Sequence, residues 1–174
     1  MRVALIFLLL IGATAASPPT TAPATQASAP INATVCIFIA MDCPISNSYA
    51  PEINRIIAEY SPQGLSFKIV YCDADATPEA VAKHAKDYGY SCPIAQDPKH
   101  ELAARLHATV TPEAVVLSAR DDQPLYRGRI DDRYADVGKK RYEATRHDLR
   151  DALEAIVHDR AIEHPVTQAV GCEL

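Results

Sequence analysis

The chain has few glycines, 6 in 174 residues, and no run of like charge. With so little glycine and no G-X-Y period, a collagen-like repeat is excluded. Five cysteines in a chain of this length do not make a disulfide-dense miniprotein. No long basic run is present, and acidic residues outnumber Lys and Arg by 22 to 17, so nucleic acid is not an expected partner. There is no internal repeat, no phosphate-cradling glycine loop, no H-E-x-x-H or C-x-x-H spacing and no Ser-His-Asp signature. The 6 histidines (His84, His100, His107, His147, His158 and His164) therefore give no metal set, and no cofactor is expected. His84 and His147 read as residues of solvated helix faces. What remains, 48% apolar and 22% charged, fits one globular domain with a real core and not a disordered chain.

Long apolar runs are missing too, except for Val3–Gly12 at the start. It follows Met1-Arg2 and precedes Ala13-Thr14-Ala15, an A-x-A cleavage pattern. That order predicts a secretory signal peptide over residues 1–15. The run is short for a retained membrane anchor, the alternative, and no membrane contact is expected after cleavage. Loss of Arg2 leaves 16 basic against 22 acidic residues, a mature charge of −6. Export would place the chain in the periplasm or outside the cell, where disulfides persist. Residues 16–33 are a Pro/Ala/Thr/Ser-rich linker, within which Asn32-Ala33-Thr34 matches a glycosylation sequon.

The domain is expected over 34–158, with a tail over 159–174. Thr34–Ala40 and Leu65–Tyr71 read as buried strands. Ile53, Ile56, Ile57 and Tyr60 set a helix over 51–60. Thr77-Pro78 opens a second helix that Gly89 closes. Pro93–Ala95 is a short strand, Asp97-Pro98 starts a third helix, and Ala114–Ser118 with Leu125–Arg129 form a hairpin. Thr145-x-x-Asp148 reads as a capping box for a last helix through Leu149, Leu153 and Val157. The order β-α-β-α-β-α-β-β-α predicts an α/β fold with a mixed, mostly parallel central sheet flanked by helices.

Chemistry concentrates at Cys43. It stands between a buried strand and a helix, at the carboxyl edge of the sheet, where open α/β sheets place their sites. Unpaired amides and the helix dipole favour a thiolate there, the nucleophile of disulfide exchange and peroxide reduction. A buried inert cysteine is the alternative. Among the other cysteines, Cys172 is the first candidate partner. It lies in the tail, within reach of Cys43, after a glycine that permits close backbone approach. Cys72, at the same sheet edge, is second; Cys92 lies toward the opposite edge, and Cys36 is expected to be buried and inert. The charged run Arg127–Tyr134 reads chiefly as a loop paired to its own aspartates, alternatively as an anchor for the tail or a carboxylate.

The segment DCPISNSYAPEINRIIAEY (Asp42–Tyr60) resembles the active-site segment of the thioredoxin-like superfamily, in which a cysteine opens a helix and a proline follows eight positions later, as Pro51 follows Cys43. Thr111-Pro112-Glu113-Ala114 resembles that superfamily's cis-proline loop, which faces the reactive sulfur. The unit over 93–106 resembles the redoxin, or alkyl hydroperoxide reductase–thiol-specific antioxidant, branch, and Gly128–Tyr134 (GRIDDRY) is similar to a stretch of secreted redoxin-domain proteins.

The resemblance implies a thioredoxin-like fold and thiol–disulfide oxidoreductase or thiol-dependent antioxidant chemistry. Cys43 and Cys172 are then the catalytic residues, and Pro44, Thr111 and Pro112 border the substrate. The implied partners are protein thiols and disulfides or small peroxides, together with an external reductant. Two departures matter. Ser46 stands where a C-x-x-C motif has its second thiol, and a serine cannot release a mixed disulfide. Ala40 stands where peroxidatic relatives carry threonine. A non-enzymatic module that captures thiols or copper, and a thiol peroxidase, are the alternative functions.

Overall fold

The computed structural model describes residues 32–174; the predicted leader and nearly all of the linker lie outside the described residues. The first strand, β1 (Ala33–Ile39), starts one residue before the expected domain boundary. Its alternate residues feed two cores. Val35, Ile37 and Ile39 join the larger core, and Cys36 and Phe38 the smaller one across the sheet.

Helix α1 (Pro44–Tyr60) begins seven residues before the expected start at Pro51. The reason is apolar spacing: Ile45 and Tyr49 extend the buried stripe of Ile53, Ile56, Ile57 and Tyr60 upstream by two turns. Pro44, fixed near helical φ and with no N–H to satisfy, occupies the first turn. Pro51 is accommodated inside the helix. A short 3₁₀ turn (Ser61–Gln63) and Gly64, at φ +88°, lead into β2 (Leu65–Tyr71).

Helix α2 (Pro78–Asp87) starts as expected, with the Thr77 hydroxyl accepting from Ala80 N at 3.2 Å. Strand β3 (Ile94–Gln96), helix α3 (Glu101–Arg105) and the short strand β4 (Val110–Thr111) follow. Strands β5 (Glu113–Ser118) and β6 (Pro124–Gly128) form the expected hairpin. The turn segment β7 (Tyr134–Asp136) and β8 (Lys139–Lys140) is an unpredicted small hairpin. Helix α4 (Asp148–Val157) precedes β9 (Cys172–Glu173).

The central sheet runs β3-β2-β1-β5-β6. Pairing is parallel across β1, β2 and β3 and antiparallel across β1, β5 and β6, so the fold is the expected mixed α/β sheet. Helices α1, α2 and α4 contribute to the larger core, and α3 to the smaller. Among the described residues no helix is long and apolar enough to cross a membrane.

Two local expectations fail for identifiable reasons. Thr145 does not cap α4, because its hydroxyl and amide both donate to buried Asp132, each at 2.6 Å. His84 is not on a solvated face. It stacks on Tyr88 and hydrogen-bonds Tyr71 and Asn47.

Candidate active site

Cys43 is the N-cap of α1, with extended backbone (φ −82°, ψ 110°), and its sulfur accepts from Ser46 N at 3.5 Å. It is almost wholly buried, at 2% exposure. As a thiol it donates to the carbonyl of Thr111 at 3.0 Å. Pro44 is exposed at the helix start, and the Thr111–Pro112 peptide is cis. The residues chosen from the sequence thus converge on one sulfur.

Cys172 joins them through a contact that the sequence did not reveal. Strand β9 pairs antiparallel with β4, placing Cys172 opposite Thr111 and Glu173 opposite Val110. The Leu174 amide donates to Thr109 O at 3.2 Å, and the Thr111 hydroxyl lies 3.5 Å from Cys172 O. The Cys172 thiol thereby lines the same cavity as the Cys43 sulfur and acts on its ionisation. All five cysteines are free thiols.

The two acidities diverge. Burial opposes ionisation of Cys43, but hydrogen bonds from the Cys172 thiol, the Ser46 side chain and amide, and Thr111 outweigh it and bring its pKa down to about 7. Ser46 is fully buried, and its hydroxyl has no hydrogen-bond partner of ordinary geometry among the described residues, which leaves it available to the Cys43 thiolate. Donation to the sulfur is the role open to it, which counting thiols in the sequence had missed. For Cys172, burial, the hydrogen bond to Cys43 and the Cys43 charge together push the pKa up to about 11. One proton is shared between two sulfurs.

Four side chains, Asn47, His84, Tyr71 and Glu113, hold the loop and the strand that flank Cys43. The Asn47 amide donates to Met41 O at 2.8 Å, and its oxygen lies 3.1 Å from His84 Nε2. His84 Nδ1 in turn meets the Tyr71 hydroxyl at 2.9 Å. The amide fixes the direction of this relay: His84 donates from Nε2 and accepts from Tyr71, as the neutral tautomer. Desolvation accordingly lowers the His84 pKa. Across the site, buried Glu113 accepts from Thr109 N at 2.7 Å and fixes the approach to β4. No sequence pattern marked Asn47 or Glu113 as site residues, because each acts on the backbone of its own loop, at Met41 and at Thr109.

A cavity of about 210 Å³ opens beside the sulfurs. Ala40, Asp42, Cys43, Cys72, Thr111 and Cys172 are among its lining residues. Cys72 is therefore near Cys43, as expected from its place at the end of β2, but burial and then the charges of Asp97 and Asp73 push its pKa up to about 12. Cys36 is buried in the smaller core and its pKa is raised by burial. Cys92 packs against the larger core, away from the cavity.

The charged run Arg127–Tyr134 serves structure. Arg127 and Arg129 pair with Glu113 and Asp148, and Arg133 with Asp131. The run also anchors the tail, through backbone and not guanidinium groups. Arg127 N donates to Pro165 O at 2.9 Å, and Thr167 N donates to Arg127 O at 3.0 Å.

Comparison with known proteins agrees with this architecture. An uncharacterized conserved protein from Geobacillus kaustophilus superposes with a TM-score of 0.72 at 28% identity, over 82% of this chain and 76% of its own. A hypothetical protein from Sinorhizobium meliloti 1021 gives 0.71 at 25% identity, over 82% and 78%. A secreted disulfide oxidoreductase of Mycobacterium tuberculosis, described as homologous to E. coli DsbE, shares the fold at 18% identity, with a TM-score of 0.51 over 71% and 81%. No curated protein matches the chain. Residues 32–122 match the thioredoxin-like family, and with more than half of its length covered the chain belongs to that family.

Proposed function

We propose that the protein is a thiol–disulfide oxidoreductase in which Cys43 is the nucleophile and Cys172 the resolving thiol. The observation that carries this reading is the seating of Cys172 beside Cys43 by the β4–β9 pairing. In the first step the Cys43 thiolate attacks a disulfide RS–SR, forming Cys43–S–SR and releasing RS⁻. That step also removes the negative charge on Cys43, one of the causes holding Cys172 protonated. The resolving thiol is acidified when it is needed. It gives its proton to the departing thiolate and attacks the Cys43 sulfur, forming the Cys43–Cys172 disulfide and releasing the second RS⁻. Cys43, with the lower pKa, is the better leaving sulfur when an external dithiol then reduces that bond by attack at Cys172. Ser46 cannot resolve an intermediate; its hydroxyl stabilises the thiolate.

This cycle suits disulfides better than peroxides, since Ala40, three residues before Cys43, lines the cavity without a hydroxyl. The leader-like residues 1–15 support export to an oxidising compartment. The test is steady-state reduction of a small disulfide with a dithiol as reductant. Cys43→Ser should abolish turnover, and Cys172→Ser, given the disulfide before any dithiol is added, should stop after one equivalent as a mixed disulfide. Undiminished turnover in Cys43→Ser would overturn the reading, and one-equivalent capture without turnover by the unmodified protein would mark a binding module instead.

A further inference from the structure

A thioredoxin-like site is expected to take an extended peptide along Thr111, through backbone pairing at an open strand edge. Here that edge is filled. The tail supplies Cys172 and Glu173 opposite Thr111 and Val110, so an incoming peptide that placed a cysteine beside Cys43 would need the same backbone positions.

The seat is tightly built. A Cβ on Gly171 would stand 2.1 Å from Thr111 O and 2.6 Å from Thr111 C, so only glycine permits this approach. Farther back, the tail crosses Gly128, whose φ is +149° and whose added Cβ would stand 2.2 Å from Thr167 Oγ1. That hydroxyl bridges the Tyr126 hydroxyl at 2.8 Å and the Arg129 amide at 3.1 Å. A parallel bridge joins Arg127 to Val166. The tail is stitched at both places.

What stays accessible beside the sulfurs is the cavity of about 210 Å³. That volume is below the roughly 300–1,000 Å³ of drug-sized ligand sites. Asp42 and Glu173 border it, with His100 engaged at 2.8 Å by the Cys72 carbonyl, and no Lys or Arg does.

We propose that β9 is a built-in occupant of the peptide-binding edge, which restricts Cys43 to small disulfides without negative charge. The inference rests on the oxidoreductase reading and adds its substrate class. The chemical step is the one already written: Cys43 takes one RS group, the other leaves as RS⁻, and Cys172 displaces the first. The two electrons come from the Cys43–Cys172 dithiol, and an external dithiol restores them.

The test is single-turnover reaction of reduced, full-length protein with three probes: cystamine (cationic), dithiodiglycolate (anionic) and a disulfide-linked pair of extended decapeptides of neutral net charge. Each rate is divided by that of a free model thiol, which removes the intrinsic reactivity of the probe. The full chain should favour cystamine over dithiodiglycolate and over the peptide, each by roughly tenfold or more. Gly171→Ala, which cannot seat the strand, should raise the peptide rate relative to cystamine by roughly tenfold. A chain ending at Ala169 should do the same and keeps the test valid if Gly171→Ala folds poorly. Glu173→Gln should shrink the preference for cystamine over dithiodiglycolate.

Equal normalised rates for peptide and cystamine in the full chain, or an unchanged ratio in both tail variants, would overturn the proposal. A preference for dithiodiglycolate would overturn its charge component. If no probe reacts at Cys43, the oxidoreductase reading itself fails, a result distinct from loss of selectivity.

Discussion

Of the three cysteines that border one cavity, two follow strands of the parallel half of the sheet, yet their chemistry is opposite. Cys43 follows β1, caps α1 and accepts from Ser46 N, and hydrogen bonding around its sulfur brings its pKa down to about 7. Cys72 follows β2 directly. Its sulfur makes one long contact, to Val70 O at 3.9 Å, and burial beside Asp97 and Asp73 raises its pKa to about 12. Position at the carboxyl edge of the sheet is shared, so position alone does not make a thiolate. Donors aimed at the sulfur do.

The comparison can be broken by alkylation. At pH 7 about half of Cys43 is thiolate, against about one part in 10⁵ of Cys72, and the greater intrinsic nucleophilicity of the weaker acid returns only about 10². Iodoacetamide followed by peptide mass mapping should therefore modify Cys43 at least about a hundredfold faster than Cys72. Comparable rates would remove the distinction.

The shared proton should also appear in stability. Between pH 7 and 9 the folded dithiol has already lost one proton and the unfolded chain has not, so stability rises with pH. Between 9 and 11 the unfolded chain has lost both protons while folded Cys172 keeps one, so that gain is lost again. Denaturant unfolding of the reduced protein, minus that of the Cys43→Ser/Cys172→Ser variant, should peak near pH 9. The peak is at most about 2–3 kcal/mol, reduced by solvent screening at half-buried Cys172. A difference that is flat across this range would contradict the coupling.

Much of this arrangement was legible in the sequence. Apolar runs placed β1 and β2, the Thr77-Pro78 start placed α2, and the Cys43-Pro44 pair stood where a strand gives way to a helix. Thr111-Pro112 was legible because an X-Pro step before an apolar strand is a strong local signal. The seating of Cys172 was not: β9 has two residues and no periodicity, and its pairing depends on a fold assembled from residues more than sixty positions away. Gly171 carried a hint, since a glycine before a cysteine allows close approach, but only the structure identifies what is approached. Ser46 was read as a missing thiol. Its use as a buried donor depends on the first turn of α1 aligning it with the sulfur, which residue counting does not encode.

Smaller effects sharpen the same contrast. Ser46→Ala removes a donor that Cys72 never had, and should raise the Cys43 pKa by about one pH unit in an alkylation-rate titration; an unchanged midpoint would show that the hydroxyl is idle. Asn47→Ala breaks the Tyr71–His84–Asn47–Met41 relay and should cost about 1 kcal/mol in denaturant unfolding, with Cys172 untouched. No loss would mean that the loop is held without it.

The most direct measurement is a disulfide map. Reduced protein is treated with one equivalent of cystamine, excess reagent is removed, and the digest is analysed without reductant. A Cys43–Cys172 peptide, with Cys36, Cys72 and Cys92 still free, is the predicted result. A Cys43–Cys72 bond, or Cys43 left as an unresolved mixed disulfide beside a free Cys172, would contradict the pairing on which the account stands.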